Sequence, residues 1–294
     1  MQIIKFGLWA FIFFIVFLML IDKSNDLDFY KLGYDQIFNN SISDVDLFYF
    51  YLTDSFFFYF IKAFSFILNI EGEFIITYLG FFLGICKLIA FQIRFKNFAG
   101  LIIFLYLINF FYLFEINQLR ESLVISIFLF LPLITFSFLP ILILTFFHKS
   151  AFIFFLAKQK LNFKIIILLF VSVLCLFFFI KPFFDNKWVD SNDSLNVLTI
   201  NLLMYLTYFY VKVFTKNNFL NEQYFILICF SFLSFFLLKS ISTVISIRIY
   251  ELGIFFILLS FPPKLTLTKS NIYFYISWIF FSVYNFYFIF NKYS

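Results

Sequence analysis

The sequence predicts an all-α fold, a polytopic transmembrane helical bundle of about ten to twelve helices with some short or re-entrant segments. Three observations predict it. Hydrophobic residues make up 64% of the chain and charged residues 13%, and the mean hydropathy is +1.02. A globule of 294 residues cannot hide that much apolar surface. Apolar runs recur along the whole length, and most are long enough to cross a bilayer as helices. Lysine and arginine fall between these runs, as orientation signals do. We expect one integral membrane domain over 1–294, so that any chemistry belongs to the bundle and its loops. The 58 phenylalanines are spread through every run, which points to biased codon usage rather than to an aromatic binding surface.

The elements follow in order. The run 6–21 comes after Lys5 and lacks a small-x-small cleavage site, so we read it as a helix rather than a signal peptide. Next comes the longest polar segment, an expected outer loop at 22–47 holding Asp22, Asp26, Asp28, Asp35, Asp44 and Asp46 against Lys23 and Lys31. Further helical runs are expected at 48–70, 74–92, 98–115, 122–137, 138–157, 165–181, 195–214, 224–240, 249–261 and 272–290. No internal repeat is visible. Cys86, Cys175 and Cys229 lie inside apolar runs with no close Cys or His neighbour, which argues against both a disulfide framework and a zinc site.

Positively charged short loops stay in the cytoplasm. Arg94/Lys96, Lys158/Lys160/Lys164, Lys212/Lys216 and Lys264/Lys269 form four basic loops, whereas the loop at 182–194 carries Asp185, Asp190 and Asp193 against one lysine. The basic loops are therefore placed inside and the acidic one outside. This requires the run 138–157 to break near His148 into two short legs. It also requires either an outside N-terminus or one re-entrant or interfacial segment between 48 and 92, and we favour 48–70, which carries Thr53, Asp54, Ser55, Lys62 and Asn69.

Two polar breaks stand out on this map. One is Asn117-Gln118-Leu119-Arg120-Glu121, and the other surrounds His148, the chain's one histidine, in Thr145-Phe146-Phe147-His148-Lys149-Ser150. Counting spans puts Arg120 and His148 on the outer face, together with an outer loop running from Lys239 to Arg248 and its neighbour Tyr250. Three ionisable groups at helix ends on one side form a candidate site. Each also has a plainer reading: arginines at helix ends often snorkel, and lone histidines often bond between helices. Net charge of +5 is dispersed over the loops, against a nucleic-acid partner.

An Arg that follows a polar break, opens an apolar helix and is followed about thirty residues on by Phe-His-x-Ser/Thr-Ala resembles the EpsG family of polysaccharide polymerases, relatives of the Wzy-type O-antigen polymerases. Here the motif reads Asn117 to Leu123, then Phe147-His148-Lys149-Ser150-Ala151. Ile247-Arg248-Ile249-Tyr250, followed by an apolar helix and Phe261-Pro262-Pro263, is similar to a later Arg-x-Tyr of the family. Gly33-Tyr34-Asp35 resembles a patch in its long outer loop. Asp54-Ser55-Phe56-Phe57 loosely matches a Glu-Pro-x-Phe step, with the proline missing and the acid shortened. Glu121 stands where the family often has Gln.

The resemblance implies a metal-independent membrane glycosyltransferase without cofactor, placed in the bacterial cytoplasmic membrane as a multi-pass protein. Such an enzyme joins undecaprenyl-diphosphate-linked oligosaccharide repeats into surface polysaccharide on the outer face. Flippase and chain-length regulator proteins are the implied partners, beside membrane lipid. Arg120 and Arg248 would hold the diphosphate, since guanidinium groups match phosphate oxygens with paired donors and stay charged. His148 would take the acceptor hydroxyl's proton. Tyr250, Asn117, Glu121, Asp35 and Asp54 would line the substrate site. Two alternatives predict different residues: a lipid-phosphate-sugar-dependent glycosyltransferase using Asp44 or Asp46 as base, and a lipid-linked oligosaccharide flippase or other transporter, which should carry ionisable groups near mid-membrane.

Overall fold

The computed structural model describes residues 2–21, 25–38, 55–130, 154, 195–214, 220, 224–238, 243–262 and 269–293. Among the described residues the fold is all-α and contains no strand. The helices are α1 (Gln2–Leu20), α2 (Asn25–Phe38), α3 (Ser55–Leu68), α4 (Gly72–Phe95), α5 (Ala99–Asn109), α6 (Leu119–Phe130), α7 (Leu195–Phe214), α8 (Phe225–Leu238), α9 (Thr243–Leu259) and α10 (Lys269–Tyr293). A 3-10 turn, Lys96–Phe98, joins α4 to α5, and a π-helical segment, Phe111–Asn117, joins α5 to α6. The chain forms two compact units, Met1–Phe155 and Leu156–Ser294.

The first unit is built around α4, which contacts α1, α2, α3, α5, the π segment and α6. Its 24 residues give a length of about 36 Å, enough to cross a hydrocarbon core. The apolar helical stretch Gly72–Asn109 as a whole is long and apolar enough to cross a membrane. It is not one rod, because Lys96 adopts a left-handed backbone (φ 47°) and Phe91 lies against Tyr106 with ring centroids 5.2 Å apart. In an unbroken helix those two residues would be about 22 Å apart. The chain thus reverses at the basic pair Arg94/Lys96.

Glycines let the neighbours of α4 come close. A Cβ at Gly72 would overlap the Tyr34 ring of α2, one at Gly84 the Phe13 ring of α1, and one at Gly80 the backbone carbonyl of Glu115. Gly80 and Gly84 form a small-xxx-small face, which lets neighbouring backbone and side chains approach closely. Phe13 also meets Phe111 edge to face at 4.7 Å. The segment at 22–47, expected as a polar loop, carries α2. Its Leu27, Tyr30, Gly33 and Tyr34 are buried at helical spacing, so the polar composition conceals an amphipathic helix. Within 48–70 the described helix, α3, has 14 residues. At about 21 Å it is shorter than a straight span requires.

The second unit packs α8 along α9, and α7 against both α9 and α10. Gly253 of α9 sits under Tyr205 of α7 and Ser231 of α8, where a Cβ would clash with both. Tyr250 is sandwiched between Tyr205 (4.6 Å) and Phe235 (4.5 Å), and the Tyr205 hydroxyl donates to the Tyr250 carbonyl at 2.8 Å. On α10, Phe274, Tyr275, Trp278, Ser282 and Asn285 are buried, while Tyr273, Ile276, Phe280, Val283, Tyr284 and Tyr287 are exposed.

Candidate functional site

The polar break at Asn117 to Glu121 lies where the π segment hands over to α6. The π segment accounts for it locally: the Gln118 amide donates to the Leu113 carbonyl at 2.9 Å, and the Ser122 amide then donates to the Gln118 carbonyl at 2.8 Å to start the α-helix. Gln118 itself leaves helical geometry (φ −118°, ψ 56°). Arg120 consequently stands in the first turn of α6. The helix start therefore agrees with the sequence expectation, whereas the wide π turn before it had no sequence signal. π segments are rare and concentrate at functional sites.

The Arg120 guanidinium lies over the Tyr30 ring of α2, 5.4 Å from its centroid. Tyr30 is one of three aromatic residues at helical spacing on α2; the next two, Tyr34 and Phe38, lie under Lys62 of α3 at 5.9 and 5.0 Å. Asp35, half-buried, sits on the same helix, and α2 packs on both the π segment and α4. The first unit thus brings Arg120 to the helix that carries Gly33-Tyr34-Asp35. Asn117 is half-buried and Glu121 is buried.

Beneath this break lies a polar cluster that sequence reading missed. Lys87 of α4 and Glu115 of the π segment are both fully buried and paired at 2.6 Å. The Lys87 ammonium also donates to Ser122 Oγ at 2.6 Å. Ser122 Oγ donates in turn to the second carboxylate oxygen of Glu115, and the Tyr106 hydroxyl donates to the first. Ser126 donates to the Ser122 and Leu83 carbonyls. One carboxylate therefore receives donors from α4, α5 and α6. A lysine alone in an apolar run at 74–92 was the available signal, because a charge there is expensive unless paired. Its partner 28 residues away could not be identified without the hairpin.

Arg248 and Tyr250 belong to the second unit. The segment expected as an outer loop from Lys239 to Arg248 is helical from Thr243 onward, so Arg248 lies inside α9 rather than before it. Val244, Ile245 and Ile247 are apolar and continue the helix through the arginine. Tyr250 is buried between its two aromatic neighbours. His148, Asp54, Asp44 and Asp46 lie outside the described residues, as do the loop at 182–194 and Cys175.

Among the described residues no three His, Cys, Asp or Glu side chains gather as a metal-binding group. No family model, curated protein or solved structure matches the chain.

Proposed function

We propose that the protein is a polytopic enzyme of the bacterial cytoplasmic membrane that polymerises undecaprenyl-diphosphate-linked oligosaccharide repeats into surface polysaccharide. The observation that carries this reading is Arg120 at a π-to-α helix break, its guanidinium held over Tyr30 of the helix bearing Gly33-Tyr34-Asp35. Non-helical backbone at membrane depth survives where protein or a hydrated cavity surrounds it, and a cation there suits a phosphate. The membrane assignment draws support from exposed apolar faces, Phe11, Phe14, Leu18 and Met19 on α1 and Tyr273, Ile276, Phe280 and Val283 on α10, which water would disfavour and lipid would cover.

In the reaction the acceptor sugar hydroxyl attacks the anomeric carbon of the donor chain as the bond from that carbon to the diphosphate oxygen breaks. His148 takes the hydroxyl proton, and Arg120 with Arg248 offsets the charge that grows on the departing undecaprenyl diphosphate. Direct displacement inverts the anomeric centre. On this reading Asn117, Glu121 and Asp35 contact sugar hydroxyls. Replacing His148 by Ala should lower turnover by about 10²- to 10⁴-fold, the usual contribution of a general base. Arg120→Ala should likewise abolish long-chain polysaccharide at unchanged protein level. Gel analysis of polymer length checks both, and normal chain length in either variant would overturn the assignment.

A further inference from the structure

We propose that Glu115, gripped by Lys87, Tyr106 and Ser122, is a positioning residue that sets the π segment and thereby the place of Arg120. The role rests on the polymerase reading above, but the geometry behind it does not.

A seven-residue π segment is an unfavourable backbone that something outside it must hold. Glu115 is its fifth residue and is fixed twice over. Its carbonyl oxygen occupies the space that a side chain at position 80 would need, and its carboxylate receives the Lys87 ammonium, the Tyr106 hydroxyl and the Ser122 hydroxyl. Glu115 and Ser122, seven residues apart, bracket the whole polar break. Only Ile116, Asn117, Gln118, Leu119, Arg120 and Glu121 lie between them. Tying those two ends together through one hydrogen bond fixes the length and direction of the segment between, and the Lys87 ammonium, bonded to both, closes the triangle.

Charge supports the same conclusion. A buried ion pair contributes little net stability compared with a well-packed apolar pair of similar volume. Lys87, Tyr106 and Ser122 all turn a donor to the one Glu115 carboxylate. Arg120 lies between the two ends, in the first turn of α6 and two residues before Ser122.

The full-length protein in membranes tests this, with Asn117→Cys as a reporter and Glu71→Cys, exposed at the start of α4, as a control, both in a background where Cys86, Cys175 and Cys229 are alanine. The measured quantities are the maleimide labelling rate and, in the parent background, polymer output with the KM for the lipid-diphosphate donor. The double variant Lys87→Met with Glu115→Gln buries no charge and should accumulate better than either single variant. We expect a severalfold change in labelling at 117, none at 71, and a fall in polymer output of about 10²-fold, the scale on which small displacements of a reacting group act. Tyr106→Phe and Ser122→Ala, which remove one hydrogen bond each and leave the ion pair, should move the same readouts in the same direction by less. Unchanged labelling at 117 in every variant that accumulates would overturn the proposal, as would equal changes at 117 and 71. If labelling shifts at 117 while Arg120→Ala still makes normal polymer, the positioning role stands and the polymerase reading falls.

Discussion

Arg120 carries the heaviest chemical claim, and its orientation depends on a residue 90 positions earlier. Tyr30 offers the guanidinium an aromatic face, an interaction of about 0.5–2 kcal/mol depending on how far water is excluded. Tyr30→Phe keeps the ring and should leave polymer length near normal, whereas Tyr30→Leu should weaken donor binding and raise its KM. A kinetic comparison of the two separates the ring from the hydroxyl. The same scale governs Lys87. Removing its ammonium alone strands the Glu115 carboxylate in the interior, which costs about 3–5 kcal/mol, so Lys87→Met should accumulate poorly and melt early in detergent. Adding Glu115→Gln should recover much of that loss, and a thermal-unfolding cycle over the four forms measures the recovery. Lys87 lies inside the apolar run 74–92 and Glu115 ends the run 98–115, each a costly charge in the sequence. Their pairing was not visible there, since nothing in the intervening residues specifies a contact across a hairpin.

At the level of elements, α4 decides how the first unit is assembled. Its glycines at 72, 80 and 84 admit Tyr34, Glu115 and Phe13 at backbone distance. Gly80→Ala would press a methyl group against the Glu115 carbonyl, and overpacking of this kind costs about 1–3 kcal/mol. We expect a lowered melting temperature together with altered labelling at an Asn117→Cys reporter. Gly253→Ala, which crowds Tyr205 and Ser231 in the second unit, should destabilise without moving that reporter. Most helices were legible as apolar runs, and α6 was placed correctly by its polar opening. The π segment, the helix inside the polar stretch at 22–47 and the early start of α9 were not. Each depends on burial of a face that local composition does not reveal: Tyr30 and Tyr34 on α2, and Ser246 and Tyr250 on α9.

For the molecule as a whole, loop charge and the reversal at Lys96 set the expected orientation. The left-handed residue at that turn coincides with the basic pair assigned to the cytoplasm. A Lys96→Cys variant should therefore label with an impermeant thiol reagent only from the cytoplasmic side, and His148→Cys only from outside. Labelling of both from one side would dismantle the outer-face site, whatever the fate of the individual residues. Of the candidate arginines, Arg120 belongs to the first compact unit and Arg248 to the second.

Composition and hydropathy by themselves pointed to the helices that the described residues form, because long apolar runs satisfy their backbone best within one segment. The polar break Asn117 to Glu121 also marked where α6 begins, since polar residues between two apolar runs favour a helix boundary there. Only the tertiary structure decided that Lys87, Tyr106, Glu115 and Ser122 share one carboxylate, and that Tyr30 lies beneath Arg120. Both depend on glycine-sized approach between helices distant in sequence, and the residues that come close are selected by packing, which no local pattern encodes.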